Sequence, residues 1–307
     1  MIYALSLNPC VDKTLSIPYM DFDNPNRVTL ERTDVGGKGV NVARVISALH
    51  GDGTLVGFDY DGNPVSSAME KEGVPCLLLP VPGSLRVNLK IRETEKGRTV
   101  EINEKGPVHE AALLDKMQET LLARCDATTF VSLSGSLPNG APKELYATLL
   151  KALKEKGCFV AVDCDGEAME AALKEGPSLI KPNLPEFLAL TGAKDTSLPA
   201  LRKECQRLHE KGVGMICLSL GPDGALLSTK DQAFFCPAAD VPVLGTQGAG
   251  DSMLGALLLA LHRGDSLPHA LCFASAAAGA SIQRPGTLLC TREATLSLLP
   301  SLSARAL

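Results

Sequence analysis

Hydrophobic and polar positions along the chain follow two alternating patterns. Short apolar runs bounded by small or polar residues predict strands, which fall at 2–7, 128–135, 158–164, 178–183 and 215–221. Between them, apolar residues that recur every three or four positions predict helices, which fall at 42–49, 109–124, 141–156, 166–175 and 196–211. Because strands and helices alternate, we expect parallel β-α-β units and a doubly wound α/β sheet with helices on both faces.

Two regions break this rhythm. In residues 10–35 and 84–105, apolar and polar residues alternate one by one, as they do in half-exposed antiparallel strands. The two regions could pair as one small sheet over the carboxyl ends of the parallel strands, where open α/β sheets bind their ligands. We therefore expect an α/β core made of residues 1–9, 36–83 and 106–307, and a β-sheet lid made of the two alternating regions.

Composition and charge narrow the class of protein. The chain has 307 residues, of which 45% are hydrophobic and 21% charged, and this is ordinary for a globular protein with a large core. A net charge of −5 does not suggest a nucleic-acid or anionic-membrane partner. No apolar run is long enough to span a bilayer and the N-terminal segment lacks the features of a signal peptide, so a cytoplasmic location is expected. The ten cysteines and five histidines lack zinc-site spacing, and we expect reduced, buried thiols.

The stretch GAGD at 248–251 raises the first chemical question. Asp251 stands where an apolar helix begins, and a helix N-cap would explain an aspartate there. It would not explain why Gly248 and Gly250 flank the small Ala249. Glycines at a helix start let backbone N–H groups approach an anion, and a phosphate bound there would lie beside Asp251.

A second glycine-rich turn precedes the first predicted helix. Gly36 and Gly37 stand before Lys38, and the spacing is not that of a Walker A loop. Taken alone, this segment is better explained as a tight turn with a solvated lysine. Asn41 lies one turn further along the same helix start, which favours a site where Lys38 holds a phosphate as a point charge.

Two further strand ends complete a phosphate-handling set. Asn183 and Glu186 follow one strand and are three residues apart, a spacing that suits the oxygen ligands of Mg²⁺, although Glu186 alone could simply favour a helix start. The segment at 219–224 is a good hairpin turn by itself. If these loops share one sheet edge, they offer what phosphoryl transfer needs: positioning, charge neutralisation and a base.

Seven segments, in this order and spread over nearly the whole length, resemble those of the PfkB (ribokinase-like) carbohydrate kinases. They are LNPCVD (7–12), GGKGVNVARV (36–45), RVNLKI (86–91), SGSLP (134–138), KPNLPE (181–186), SLGPDGA (219–225) and GAGDSM (248–253). The resemblance is to the branch that contains 1-phosphofructokinases and tagatose-6-phosphate kinases. It implies a three-layer α/β/α sandwich with a mainly parallel sheet and a small β-sheet lid, which could also form a homodimer interface.

The resemblance also implies roles. Asp251 would be the general base, and Gly248, Ala249 and Gly250 the anion hole. Residues that would border ATP are Lys181, Asn183, Ser219, Leu220, Gly221, Pro222, Asp223, Gly224 and Gly250. Asn183 and Glu186 would organise Mg²⁺. Residues that would line the sugar-phosphate pocket are Asp12, Arg27, Gly36, Gly37, Lys38, Asn41, Arg86, Asn88 and Ser136, although Arg27 and Arg86 taken singly could be solvated lid charges.

The implied reaction is the ATP- and Mg²⁺-dependent phosphorylation of a ketohexose monophosphate. Fructose 1-phosphate is the first candidate substrate, and the alternatives are tagatose-6-phosphate kinase and 6-phosphofructokinase activities. A sugar-phosphate sensor without catalysis is a different class, but a sensor needs no base. The sequence departs from the family at Gln247, where a β-branched residue is usual, and at Cys164 and Asp165, where small hydroxyl residues are common; these departures bear on substrate choice.

Overall fold

The computed structural model describes residues 1–307, and its strands divide between two sheets. The strands in chain order are β1 (Ile2–Ser6), β2 (Cys10–Ile17), β3 (Leu30–Gly36), β4 (Gly53–Asp59), β5 (Cys76–Pro80), β6 (Arg86–Glu93), β7 (Arg98–Asn103), β8 (Phe130–Ser134), β9 (Phe159–Asp163), β10 (Leu179–Ile180), β11 (Met215–Ser219), β12 (Ala225–Thr229), β13 (Ala233–Cys236) and β14 (Arg305–Ala306). The helices are α1 (Lys38–Ala48), α2 (Pro64–Lys71), α3 (Ala111–Leu122), α4 (Leu145–Glu155), α5 (Gly166–Lys174), α6 (Leu184–Thr191), α7 (Leu198–Glu210), α8 (Ala249–His262), α9 (Leu267–Ile282) and α10 (Arg292–Leu298).

The larger sheet has ten strands in the order β14-β13-β12-β11-β10-β9-β8-β1-β4-β5. Pairing is parallel from β11 across to β5, and β12, β13 and β14 extend the sheet in antiparallel fashion. All five predicted strands are present in this sheet, although β10 is shorter than expected. The strand stops because Pro182 has no N–H to donate to a neighbour, and α6 begins two residues later. The predicted mainly parallel α/β sheet is therefore confirmed.

The smaller sheet is the lid, with the strand order β3-β2-β6-β7. Its strands come from the two alternating regions, as predicted. The pairs β2·β3 and β6·β7 are antiparallel, but β2·β6, which joins the two regions, is parallel. The expectation of antiparallel strands was therefore wrong at this junction, because both strands leave the core from the same edge of the large sheet and run outward together.

Helices cover the large sheet in two layers. In one layer α8 packs against both α1 and α9, and α3, α4 and α5 form part of the other. Helix α8 lies very close to α1, because a Cβ on Gly255 would come within 2.9 Å of Val45 Cγ1. This close approach brings the beginnings of α1 and α8 together. No helix in the chain has both the length and the apolar character of a membrane span.

All ten cysteines are free thiols, and nine of them are buried, as the sequence predicted. Cys76 is the exception: it is exposed because it begins β5, which is the edge strand of the large sheet. The buried thiols act as small apolar side chains of the core.

Candidate active site

A cavity of about 910 Å³ lies between the lid and the carboxyl ends of β1 and β8. Of the 27 residues that line it, one is hydrophobic, so the cavity suits a polar or charged ligand. Ten of the site residues predicted from the sequence share this lining: Asp12, Gly37, Lys38, Asn41, Arg86, Asn88, Ser136, Asn183, Gly248 and Asp251. The fold therefore brings together residues that lie up to 239 positions apart in the chain.

Other predicted residues lie outside the cavity lining, and several of them contact residues of the lining or of the predicted site. Gly36 lies against Asp12, since a Cβ there would be 2.2 Å from Asp12 Oδ2, and this position must remain glycine for the carboxylate to fit. Lys181 Nζ lies 3.2 Å from the point where a Cβ on Gly250 would be. The 219–224 turn connects β11 to β12 and adjoins Asn183 through a parallel bridge to Ser219. Ala249 and Glu186 are also outside the lining.

Arg27 does not reach the cavity, contrary to the sequence-based expectation. It is exposed in the connection between β2 and β3 and is absent from the cavity lining. The connection closes on itself instead: Asn24 N donates to Asp21 Oδ1 at 3.1 Å, and Asn26 Nδ2 donates to Asp21 O at 2.7 Å. These local bonds hold the loop in its own compact turn, away from the cavity.

Asp251 is buried in the first turn of α8. The N-cap is Gly248 with φ +74°, so the alternative that Asp251 itself caps the helix is wrong. Asn41 Nδ2 donates to Asp251 Oδ2 at 2.7 Å, which ties the starts of α8 and α1 together. Burial, and secondarily the charge of Asp163, raises the pKa of Asp251 above its usual range, while the bond from Asn41 opposes this. A fixed carboxylate with raised proton affinity has the properties of a general base.

A buried carboxylate that sequence reasoning missed lies between the two predicted lysines. Asp163 ends β9, and its oxygens lie 2.9 Å from Lys38 Nζ and 3.2 Å from Lys181 Nζ. The second contact is an ion pair without hydrogen-bond geometry. Burial alone would raise the pKa of Asp163, but the charges of Lys181 and Lys38 outweigh it and lower the pKa. The sequence feature that could have identified Asp163 is its position, as an acidic residue, at the end of a predicted buried strand.

The ion pair with Asp163 also determines the protonation state of Lys38. Burial alone would lower the pKa of its ammonium group, but the charge of Asp163 and the hydrogen bond to it, with smaller contributions from Glu186 and Asp251, raise the pKa well above its usual range. Lys38 therefore stays a cation at any physiological pH. It also keeps donors for an anion in the cavity, since an ammonium group carries three.

Asn183 and Glu186, the predicted Mg²⁺ pair, cap helix α6. Asn183 Oδ1 accepts from Glu186 N, and Glu186 Oε2 accepts from Asn183 N, both at 2.9 Å. This is a capping box, in which one oxygen of each side chain is already occupied. Glu186 Oε1 stays free, and a single carboxylate oxygen suits Mg²⁺, which keeps several waters as ligands. No group of three or more His, Cys, Asp or Glu side chains is arranged to hold a metal by itself.

Lid strand β6 presents three polar side chains to the cavity at alternate positions. They are Arg86, Asn88 and Lys90, which share one face because side chains alternate along a strand. Arg86 donates to Asn8 O at 3.2 Å and to Asn88 Oδ1 at 2.8 Å, so its guanidinium is held in place. Lys90 was not among the predicted site residues, and its two-residue spacing from Asn88 was the signal that could have found it.

Comparison with known proteins identifies the family. The sequence profile of the "pfkB family carbohydrate kinase" matches residues 1–294. The chain belongs to this family. A 1-phosphofructokinase of Rhodobacter capsulatus is 33% identical to this kinase over 278 residues, 90% of this chain and 88% of that protein. The ATP-dependent 6-phosphofructokinase isozyme 2 of Escherichia coli (strain K12) is 31% identical over 306 residues, 98% of this chain and 99% of that protein.

Solved structures agree with this assignment. Phosphofructokinase-2 from Escherichia coli in complex with substrates and products superposes on this kinase with a TM-score of 0.92, at 30% identity and over 98% of both chains. The family and the ribokinase-like fold expected from the seven segments are therefore confirmed.

The departures from the family pattern lie around the cavity of this kinase. Gln247 Nε2 donates to Glu101 Oε1 at 2.9 Å, so the residue before the glycine turn connects the core to lid strand β7. Asp165 lines the cavity and is the N-cap position of α5. Cys164 points into the core, and burial, together with the nearby Asp163, raises the pKa of its thiol to about 12. Only the first two departures can therefore contact a ligand or the lid.

Proposed function

We propose that this kinase transfers the γ-phosphoryl group of ATP to a ketohexose monophosphate, with fructose 1-phosphate as the first candidate. The observation that carries the proposal is the position of Asp251. Its buried carboxylate lies at the N-terminus of α8, in a cavity that also contains the cations of Lys38 and Arg86. A hydroxyl bound there would meet a base and a site for a phosphoryl group at the same point.

In this mechanism Asp251 takes the proton of the attacking hydroxyl as the new O–P bond forms and the bond to ADP breaks. Backbone N–H groups at the start of α8, from Gly248 to Gly250, stabilise the negative charge on the transferring group. Lys181 and the 219–224 turn border ATP. Mg²⁺ when bound neutralises phosphate charge, with Asn183 and Glu186 on its protein side.

The sugar phosphate is proposed to lie under lid strand β6. Asp12 and Asn88 contact the sugar hydroxyls, and Arg86 with Lys38 attracts the phosphate. A sugar phosphate carries about two negative charges and three strong acceptor oxygens, which a cavity with several fixed cations suits better than a neutral sugar. The name of the Rhodobacter capsulatus relative supports fructose 1-phosphate.

A second candidate is phosphorylation of fructose 6-phosphate. It is favoured by the Escherichia coli relative named as a 6-phosphofructokinase, which aligns with nearly the whole chain. Tagatose 6-phosphate is a third candidate on the basis of the sequence resemblance. A catalytically silent sensor is disfavoured, because a binding site alone has no use for the buried, costly carboxylate of Asp251.

A substrate panel tests the proposal. ADP release is measured with ATP and Mg²⁺ for fructose 1-phosphate, fructose 6-phosphate, tagatose 6-phosphate, fructose and ribose, and the substrates are ranked by kcat/KM. The phosphorylated sugars should rank far above the free ones. If fructose or ribose ranks first, the sugar-phosphate assignment is wrong, even though the chain would remain a carbohydrate kinase.

Arg86→Ala tests the phosphate contact directly. A charge-assisted contact contributes about 1.5–3 kcal/mol, so KM for the sugar phosphate should rise about 10- to 150-fold, while KM for ATP stays nearly constant. Arg92→Ala is the matched control, because Arg92 lies on the same strand and face but is exposed and outside the cavity lining. Equal effects of the two substitutions would contradict a specific role for Arg86.

We also propose that the lid is the interface of a homodimer. Apolar side chains are exposed on and around its strands, where a monomer would leave them in water: Tyr19, Phe22, Val28, Leu30, Val100 and Ile102. An exposed apolar patch of this kind is typical of an interaction surface. A partner lid would also cover the exposed edge strand β7.

A further inference from the structure

Lid strand β6 holds Asp12 through only one of its two oxygens. Lys90 Nζ lies 3.1 Å from Asp12 Oδ1, and Asn88 Nδ2 donates to the same oxygen at 3.2 Å. Asp12 Oδ2 accepts no hydrogen bond within the protein and is backed by the bare Cα of Gly36. The carboxylate is therefore anchored on one side and available on the other.

Lys90 is itself nearly buried. Its side chain is 9% exposed and that of Asp12 is 7% exposed, so both charges have lost most of their water. A buried ion pair of this kind adds little to stability, because desolvation largely cancels the attraction. What the pair does provide is a carboxylate in one fixed orientation. In addition, Lys90 lines the cavity with an ammonium group whose three donors make no hydrogen bond within the protein, since its contact with Asp12 Oδ1 is an ion pair.

We infer that Lys90 is a positioning and specificity-determining residue of this kinase. It holds Asp12 Oδ1 so that Oδ2 is left for a sugar hydroxyl, and its remaining donors add a second lid cation, beside Arg86, for a phosphorylated sugar. Only the second part of this inference, the lid cation for a phosphorylated sugar, rests on the proposed function. The first part, the orientation of Asp12, holds for any sugar that the cavity accepts.

Lys90→Met tests both parts, because methionine keeps most of the side-chain length and removes the charge. With fructose 1-phosphate as the probe, KM should rise about 10-fold or more, and KM for ATP should stay within about two-fold of the unmutated enzyme. The preference for fructose 1-phosphate over fructose, expressed as a ratio of kcat/KM, should fall by a similar factor. Lys90→Arg keeps the charge and should retain most of this preference.

Two controls separate the site from the fold. Lys13→Met removes a lid lysine that pairs with Glu31 at the surface, and it should leave both KM values unchanged. If Lys90→Met does not fold, because it leaves the Asp12 charge buried without a partner, the double variant Lys90→Met/Asp12→Asn removes that charge. The double variant should fold and still lack the phosphate preference.

The possible outcomes are distinct. A Lys90→Met enzyme that loses thermal stability but keeps its KM and its phosphate preference would show that the ion pair only supports the fold, and this would overturn the inference. If the unmutated enzyme prefers a free sugar, the proposed function fails, and KM for that sugar becomes the readout. A rise of KM in Lys90→Met would then still support the orientation of Asp12, and an unchanged KM would reject it.

Discussion

Replacing Asp251 with asparagine separates catalysis from stability more sharply than any other change at this site. The substitution keeps the shape of the side chain, and the amide oxygen can still accept the hydrogen bond from Asn41 Nδ2, which spans 2.7 Å in the native enzyme. The substitution removes the proposed proton acceptor. Loss of a general base costs about 10²–10⁴ in rate, so kcat should fall by that factor while the affinity for ATP stays nearly constant.

The stability of the Asp251→Asn variant, unlike its activity, should not fall. Burial raises the pKa of Asp251, so folding at neutral pH works against its ionisation. Each pKa unit of this kind costs about 1.4 kcal/mol, and about 1 kcal/mol corresponds to roughly 2–4 °C in Tm for a chain of this size class. The Asp251→Asn enzyme should therefore be at least as stable as the native one at pH 7, although it is nearly inactive.

The pH dependence follows from the same shift. A carboxyl group whose folded pKa is raised destabilises the fold fully above that pKa, and the penalty disappears as the pH falls towards the unfolded value of 3.8. The stability gain of the variant should therefore shrink as the pH falls through the raised pKa. Over the same range the native enzyme should lose kcat as Asp251 becomes protonated.

Steady-state ADP release and thermal unfolding at several pH values measure both effects. Asp231→Asn is the matched control, because Asp231 is exposed on the turn between β12 and β13 and does not line the cavity. A variant that keeps most of its kcat would show that Asp251 is not the base. A variant that unfolds several degrees below the native enzyme would refute the argument that its burial is costly.

Three further changes test other parts of the site. Glu186→Gln keeps an acceptor for the capping box, so it should fold normally but need more Mg²⁺ for half-maximal rate in a metal titration; an unchanged requirement would reject a metal role. Asp163→Asn leaves the buried Lys181 and the half-buried Lys38 without their anion and should lower the free energy of unfolding by about 3 kcal/mol, measured in urea; an unchanged midpoint would contradict this. Ile102→Lys places a charge on the exposed lid surface and should convert a dimer into monomers in light scattering, whereas an unchanged mass would place the interface elsewhere.

Periodicity predicted the core strands because it is a local property. Burial on both faces leaves continuous apolar runs, which the strands of the large sheet retain. Periodicity did not predict α9. This helix is buried nearly all round and is built from small residues, so it has no polar face to mark the helical period. The short length of β10 depends on a proline, and the parallel β2·β6 pairing depends on a partner that is distant in the sequence. Strand patterns alone predict neither.

The site was predictable where residues cluster in the sequence and less so where partners are distant. Lys38 and Asn41 are recognisable together because they share one helix start. Asp163 is 125 positions from Lys38, and nothing in the local sequence links the two. Arg27 was assigned through its position in the lid region, but a loop closed by its own side chains took it away from the cavity. Long-range pairing and loop conformation are thus the two features that sequence patterns leave open.

The electrostatics of the cavity explain why one carboxylate differs from its neighbours. Asp12 is paired with Lys90, and Asp163 is paired with two lysines. Asp251 is buried to a similar degree but has only the neutral amide of Asn41 as a partner. The pKa of Asp163 is consequently lowered and that of Asp251 raised, so the two buried acids of one site differ in proton affinity. Such a difference supports the proposed acid–base roles: Asp163 stays an anion beside the two lysines, and Asp251 is the proposed proton acceptor.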